Sequence, residues 1–472
     1  MNEKKNYNRY LALILALAIV SAFVSCAGNG DGESAEKTAA SVEVNDEERE
    51  TSSEQEKEEE ASISEEEPIS EAEPEEPSEE ESSQTEAVEE TGGNESAAGV
   101  SEINILEADG SNTELYSGDA VVTIGNKQIS LSGAYIIDGV DAEVTGGVYE
   151  SDSSDQNVFL VINGGSLKLR GAQLIKTGDA AQNDSKRTSD VSDDYNFYGM
   201  NSVVLVVGED SSAELTDCII TSDCSGANAV FSTAGAEVSV RNVKITTTGN
   251  SSRGVYATYG GTINADHVDI TTSGAHCAPI ATDRGGGYVT VTNSTVQCSG
   301  DGSPCIYSTG EIVVENVIGT SGGAQAAVIE GRNSITMTGC SFTVTGGNNG
   351  VMLYQSMSGD AADKDATASF STLTMTDTVI DNGTEGAMFY ITNTTSVIEL
   401  CGGNTLTSAS GQLINAAAGR WGSDGSNGGH VSLNITGDTL TDSASTDEIS
   451  SCAINILDGA EFTGSTSGNV SV

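Results

Sequence analysis

The sequence predicts an all-β domain over residues 101–472, a single-stranded right-handed parallel β-helix of about 23–26 residues per coil. Three observations carry this expectation. Short apolar runs that follow Gly or Ser turns stack at Phe231, Tyr256, Ile280, Cys305, Val328, Met352 and Met388, in steps of 25, 24, 25, 23, 24 and 36 residues. A second column, Asp217, Asn242, His267, Asn293, Asn316, Gly339 and Asp377, keeps the same register with steps of 25, 25, 26, 23, 23 and 38. Helical length and helical period are missing throughout, and Pro within the domain is limited to Pro279 and Pro304.

Charge divides the chain before the repeat begins. Of the formal net charge of −52, residues 1–26 carry +2, residues 27–100 carry −24 and residues 101–472 carry −30. A nucleic-acid partner is excluded on this balance, because phosphate contacts need clustered Lys and Arg. In the first segment Lys4, Lys5 and Arg9 precede an apolar run from Leu11 to Val24, the pattern of an export signal and too short for a comfortable membrane span. Phe23-Val24-Ser25-Cys26 resembles the lipobox of bacterial lipoproteins, which implies cleavage before Cys26 and lipidation of that cysteine. Phe23 stands where the lipobox has Leu, which leaves cleavage near Ala27 as the alternative. The expected location is therefore the cell membrane, lipid-anchored and facing outward, or otherwise the medium.

Residues 27–100 are mostly Glu, Ser, Ala and Pro, with no aromatic residue and with runs such as Glu58-Glu59-Glu60 and Glu79-Glu80-Glu81. Such a segment cannot bury enough apolar surface to offset its chain entropy, and its charges repel one another. It is expected as a disordered tether between anchor and domain.

Each repeat unit of the domain reads as an apolar strand, a Gly or Ser turn, a second strand such as Val238 to Val240, an Asn-type turn, and a third strand such as Val243 to Thr246. Three sharp bends per coil need residues that tolerate left-handed backbone geometry, and Asn, Asp and Gly do so at least cost. His267 sits in the Asn column, which gives it a structural role. The domain resembles the right-handed β-helix superfamily that includes pectate lyases and polygalacturonases. More closely it resembles adhesin-like β-helix surface proteins of anaerobic bacteria, on the segments Ala281-Thr282-Asp283-Arg284-Gly285-Gly286-Gly287, Asp301-Gly302-Ser303-Pro304-Cys305, Leu353-Tyr354-Gln355-Ser356, Met388-Phe389-Tyr390 and Gly419-Arg420-Trp421-Gly422. That resemblance implies a fold and a surface location, and no ligand or reaction.

Counting two residues on from the first column gives Thr233, Thr258, Thr282, Tyr307, Glu330, Tyr354 and Tyr390, an expected outward strip, with Arg284 and Arg332 at the fourth position. Aromatic faces beside charged hydrogen-bonding groups suit a sugar chain, and Arg can hold a uronate carboxylate in a bidentate way. The candidate ligand-binding residues are Asp283, Arg284, Tyr307, Glu330, Arg332, Tyr354, Tyr390, Arg420 and Trp421. The bland alternative is that each Arg pairs with Asp283 or Glu330 and each Tyr caps a coil. A lyase or hydrolase would place Asp283, Arg284 and Glu330 in catalysis, but Asp283 and Glu330 lie two coils apart, about 10 Å, at or beyond the wide end for an inverting carboxylate pair.

Two excursions leave the repeat. One lies between Asp179 and Gly199 and carries Lys186, Arg187, Asp193, Asp194, Tyr195, Phe197 and Tyr198, a mix suited to covering part of a groove. The other, from Ser356 to Ala368, holds Asp360, Asp363 and Asp365, the only candidate calcium ligands; their spacing lacks the Gly and the final Glu of an EF-hand loop. No other cofactor is expected. Eight cysteines remain after Cys26, and none is spaced for direct stacking; Cys298 and Cys305 can meet across a turn, while a zinc site from His276, Cys277, Cys298 and Cys305 lacks paired short spacings.

Taken together the sequence is read as a monomeric surface protein that binds a glycan, a polysaccharide, or a host or neighbouring cell surface. A polysaccharide lyase or hydrolase, and a passive spacer, are the alternatives. If Cys26 carries the anchor, Cys26→Ser releases the protein to the medium or leaves an uncleaved precursor; unchanged partitioning into a detergent phase would refute lipidation.

Overall fold

A computed structural model of the chain describes residues 99–108, 115–181, 190–356 and 367–472. Cys26, the acidic tether up to residue 98, Lys186, Arg187, and the trio Asp360, Asp363 and Asp365 lie outside the described residues.

The bends of each coil are where sequence dictates geometry most directly. In one coil the strand Val230–Thr233 is followed by Glu237–Thr247, which turns sharply at Asn242. Every member of the second column sits at such a corner, from Asp217 to Asp377, with φ between +49° and +63°. A side chain with a Cβ pays roughly 1–2 kcal/mol for this conformation, so Asn, Asp, His and Gly are selected there. The corners also bond to one another: Asn242 Nδ2 donates to Asp217 Oδ1 at 2.8 Å, and Asn316 Nδ2 to Asn293 Oδ1 at 3.2 Å. His267 is one of these corner residues, its Nδ1 2.8 Å from Asp266 Oδ2, in keeping with a structural role.

Between corners the chain is extended and pairs in parallel with the coil before and after it. One face of the solenoid is a 14-stranded sheet, and a second sheet of 19 strands winds over the other two faces. The first strand of the 14, Tyr116–Ile124, is an antiparallel partner of Lys127–Asp138, a hairpin the repeat did not announce. The remaining strands form a right-handed parallel β-solenoid of about 13 turns. Alternation along each strand sends Val230, Val255, Ile280, Ile306, Ile329, Leu353 and Ile391 inward, where they join Val238, Ile263, Val289 and Ile335 in one continuous apolar column. Burying a side chain of this size is worth about 1.5–3 kcal/mol, and repetition along the axis makes that column the main stabilising element. The only helix among the described residues is the single turn Asp193–Asn196.

The first column is corrected by the ladder. The true neighbours are Phe231, Tyr256, Ala281, Tyr307, Val328, Met352 and Tyr390. Cys305 and Met388 were each misplaced by two residues, which preserves the face because the pleat has a period of two. Ile280 was misplaced by one, which does not: Ile280 and Thr282 point inward, and Asp283 takes the outward position.

Seven of the eight domain cysteines are buried and all are free. Cys298 and Cys305 do meet, Sγ to Sγ at 3.6 Å. Cys277 belongs instead to a ladder of small polar side chains: Ala227 N–H donates to Ser252 Oγ, Ser252 N–H to Cys277 Sγ, and Cys277 N–H to Ser303 Oγ. His276, Cys277, Cys298 and Cys305 do not form a metal-ligand cluster, and no cluster of three or more such residues occurs among the described residues.

The corner geometry makes a direct prediction. Asn316→Ala should lower stability by about 1–2 kcal/mol, whereas Asn316→Gly, free of the Cβ penalty, should lose less. Urea midpoints of the two variants check the order; equal losses would mean the corner conformation is not what selects Asn.

Candidate functional site

The outer face of the 14-stranded sheet is covered in its first half. Phe197 and Tyr198, from the excursion between strands, pack on Leu160, Leu205, Phe231, Tyr256 and Ala281, together with Ile124, Ile129 and Leu131 of the N-terminal hairpin. Backbone contacts fix the cover: Tyr256 donates its hydroxyl to the Asn196 carbonyl at 2.7 Å, and Thr258 to the Phe197 carbonyl at 3.0 Å. Lys127 of the hairpin reaches Asp194 at 2.6 Å. Thr233 and Thr258, expected on an open strip, are therefore fully buried.

Beyond this cover the face opens into a groove of about 650 Å³. Its floor carries Tyr307, Val328, Met352 and Tyr354, one side is formed by turns that include His276, Asp301, Gln325 and Asn348, and Trp421 and Arg420 enter from a later loop. The Tyr354 and Trp421 rings lie 5.3 Å apart at 42°, and the Arg420 guanidinium sits 4.4 Å from the indole centroid. That loop is held by Asn427, whose amide donates to the Gly419 and Trp421 carbonyls, each at 2.9 Å. Gly419 rests on Tyr390, so closely that a Cβ there would stand 2.6 Å from the tyrosine hydroxyl.

Glu330 lies under the floor and not on it. It is 2% exposed, and the hydroxyls of both Tyr307 and Tyr354 donate to its Oε2, the latter at 2.7 Å. Its Oε1 is buried with no hydrogen-bond partner among the described residues. Burial first, and then the Glu330 carboxylate, hold both tyrosine hydroxyls well above the ordinary value of 10.0. Each hydroxyl thus has its proton committed downward and offers only acceptor lone pairs to the groove.

At the closed end Arg253 is 8% exposed, donates to Asn196 Oδ1 at 3.0 Å and lies 4.6 Å from the Tyr256 centroid. Burial disfavours its charge, but Tyr256, Asp283 and Asp190 around it more than compensate and raise its pKa. Asp283 Oδ2 lies 2.9 Å from the same Tyr256 hydroxyl and shares its single proton with the Asn196 carbonyl. Burial pushes the Asp190 carboxyl up, yet hydrogen bonds from Asn196 and Ser251, with the Arg253 charge, win and hold it below 3.8. Asp190 therefore contributes stability that is complete above 3.8 and is lost as the pH falls through its lowered native value.

Of the residues singled out from sequence, the groove brings together Asp283, Tyr307, Tyr354, Arg420 and Trp421. Arg284 is turned away: its guanidinium stacks 3.8 Å from the Phe197 centroid and pairs with Asp193 at 3.3 Å. Arg332 and Tyr390 are half-buried and do not line the groove. Sequence reasoning missed Asp190, Asn196, Arg253, Gln325 and Asn348, and considered His276 only as a metal ligand; the signal available was their place in the turns between the third strand of one coil and the first of the next. Because Glu330 is buried beneath two tyrosines, it and Asp283 are not presented together as an acid and base facing one substrate.

Comparison with family models, curated proteins and solved structures finds no match for this chain. The likeness to β-helix proteins thus stands on architecture alone.

Glu330→Ala should cost about 2–3 kcal/mol by leaving two buried hydroxyls without their acceptor, measurable as a lowered denaturation midpoint; a loss near zero would contradict the buried triad. The raised tyrosines give the pH dependence. Their stabilising contribution is complete below 10.0 and is lost as the pH rises toward their native values, so stability should fall above 10.0 and not before on their account.

Proposed function

We propose that the protein is an exported, lipid-anchored surface protein, held through Cys26 and an acidic tether, whose groove binds a glycan. The observation that carries this reading is the groove of about 650 Å³ in which the Tyr307, Tyr354 and Trp421 rings stand beside Asp283, Gln325, Asn348 and Arg420. Aromatic faces pack on the C–H faces of sugar rings, and sugar hydroxyls, each donating one proton and accepting at two lone pairs, need a balance of acceptors and donors around them. The groove has that balance. Asp190, Asp283 and Asp301 accept, the two tyrosine hydroxyls have their protons committed to Glu330, and Arg253 and Arg420 donate. A loop-built site on a rigid solenoid is also where binding residues concentrate.

A glycan array followed by titration of the hits tests the reading. Trp421→Ala removes one stacking face from a half-exposed loop position and should weaken binding roughly 5- to 150-fold, the equivalent of about 1–3 kcal/mol. Lys244→Ala is the control, since Lys244 pairs with Asp269 at 3.7 Å on the other sheet. An array without hits, or hits that bind the Trp421→Ala variant as tightly as the parent, would overturn the proposal.

A further inference from the structure

The groove is closed at both ends along the solenoid axis, and this limits what can lie in it. At the first end, Asn196 and Phe197 sit on the outer face over Tyr256 and Thr258, and Tyr256 beneath them is fully buried. The cover is braced from both sides: Arg284 stacks on Phe197 and pairs with Asp193, and the N-terminal hairpin packs on Tyr198, with Lys127 4.7 Å from its ring centroid. At the second end, Gly419 rests on Tyr390 and Trp421 leans on Tyr354. Asn393 donates to the Gln355 carbonyl at 2.7 Å, tying the coil beneath that loop to the coil before it. Between the two covers the open floor runs from the coil of Asp283 to the coil of Tyr354, three steps along the ladder. At about 4.8 Å per step this is roughly 14 Å, the length of a short oligosaccharide.

We infer that the groove receives the end of a glycan chain, or a short free oligosaccharide, and not the interior of a polymer threaded along the sheet. The inference rests on the glycan reading above and narrows it. The closed end is also the polar one. Asp190, Asn196, Arg253 and Asp283 converge there, so the terminal sugar has its hydroxyls met by a fixed set of donors and acceptors, while the following rings lie over Tyr307 and Tyr354. Those four side chains are positioned by one another before any ligand arrives, which lowers the ordering cost of binding.

The test compares cello-, xylo-, malto-, chito- and galacturono-oligosaccharides of two to six residues with their parent polymers, by calorimetry on the parent protein. End binding predicts that affinity rises with length and then levels off within this range. It also predicts that the polymer takes up one protein per chain end, with an affinity within about twofold of the longest oligosaccharide. Many protein copies bound along each polymer chain, with Trp421 still required, would overturn the end-binding inference and leave the glycan reading standing. Binding to none of these probes and to nothing on the array would remove both.

Discussion

Each coil must turn three times in about two dozen residues, and its turns force residues into left-handed backbone geometry, most regularly at the corner within the second sheet. The rest of the architecture depends on that corner. Because Asp217, Asn242, His267, Asn293, Asn316, Gly339 and Asp377 all adopt it, successive coils bend at the same place and stay in register. Register in turn places apolar side chains inside at every level, so that hydrophobic burial accumulates along the axis. Two pairs of corner side chains, Asn242 with Asp217 and Asn316 with Asn293, also bond between adjacent coils, which gives back part of the conformational cost there.

A solenoid built this way presents flat outer faces, and a flat face binds little. What makes a concave site here is chain that leaves the coil and returns over it. Residues 190–198 and the N-terminal hairpin roof the first half of one sheet, and residues 417–428 cover a later coil, so the groove is the uncovered interval between them. The cover is itself a packed layer, with Phe197, Tyr198, Phe231 and Tyr256 in one cluster outside the solenoid core. Rigid floor and anchored ends favour a preformed site.

The groove also concentrates buried charge in a protein that is otherwise acidic at its surface. Arg253 is held among Asp190, Asp283 and Asn196, and Glu330 beneath Tyr307 and Tyr354. Burying ionised groups is costly unless they are paired and hydrogen-bonded. Arg253 is paired and hydrogen-bonded, Glu330 is hydrogen-bonded through Oε2 alone, and Asp190, Asp283, Tyr307 and Tyr354, the groups that meet them, line the groove. Stability and the shape of the site are therefore coupled: a change at Glu330 acts on two floor residues at once.

The solenoid, its period and its corners were legible from the residues alone, because a left-handed bend admits few residue types and so leaves a recognisable column. The sequence determined less about strand register, since Val, Ile, Met, Tyr and Cys are interchangeable in a short apolar run. Slips of two residues at Cys305 and Met388 left the outward face correct, while a slip of one at Ile280 reversed it and hid the outward placement of Asp283. Tyr307, Tyr354 and Trp421 were legible as a binding set; the burial of Glu330, the diversion of Arg284 to Phe197 and the recruitment of Arg253 were not. Those depend on segments far away in the chain, the excursion around Asn196 and the loop around Trp421, folding back onto the sheet. Period-two alternation fixes which side chains leave the sheet, but only tertiary structure decides which of them meet solvent, because nothing local in a strand records what will later cover it.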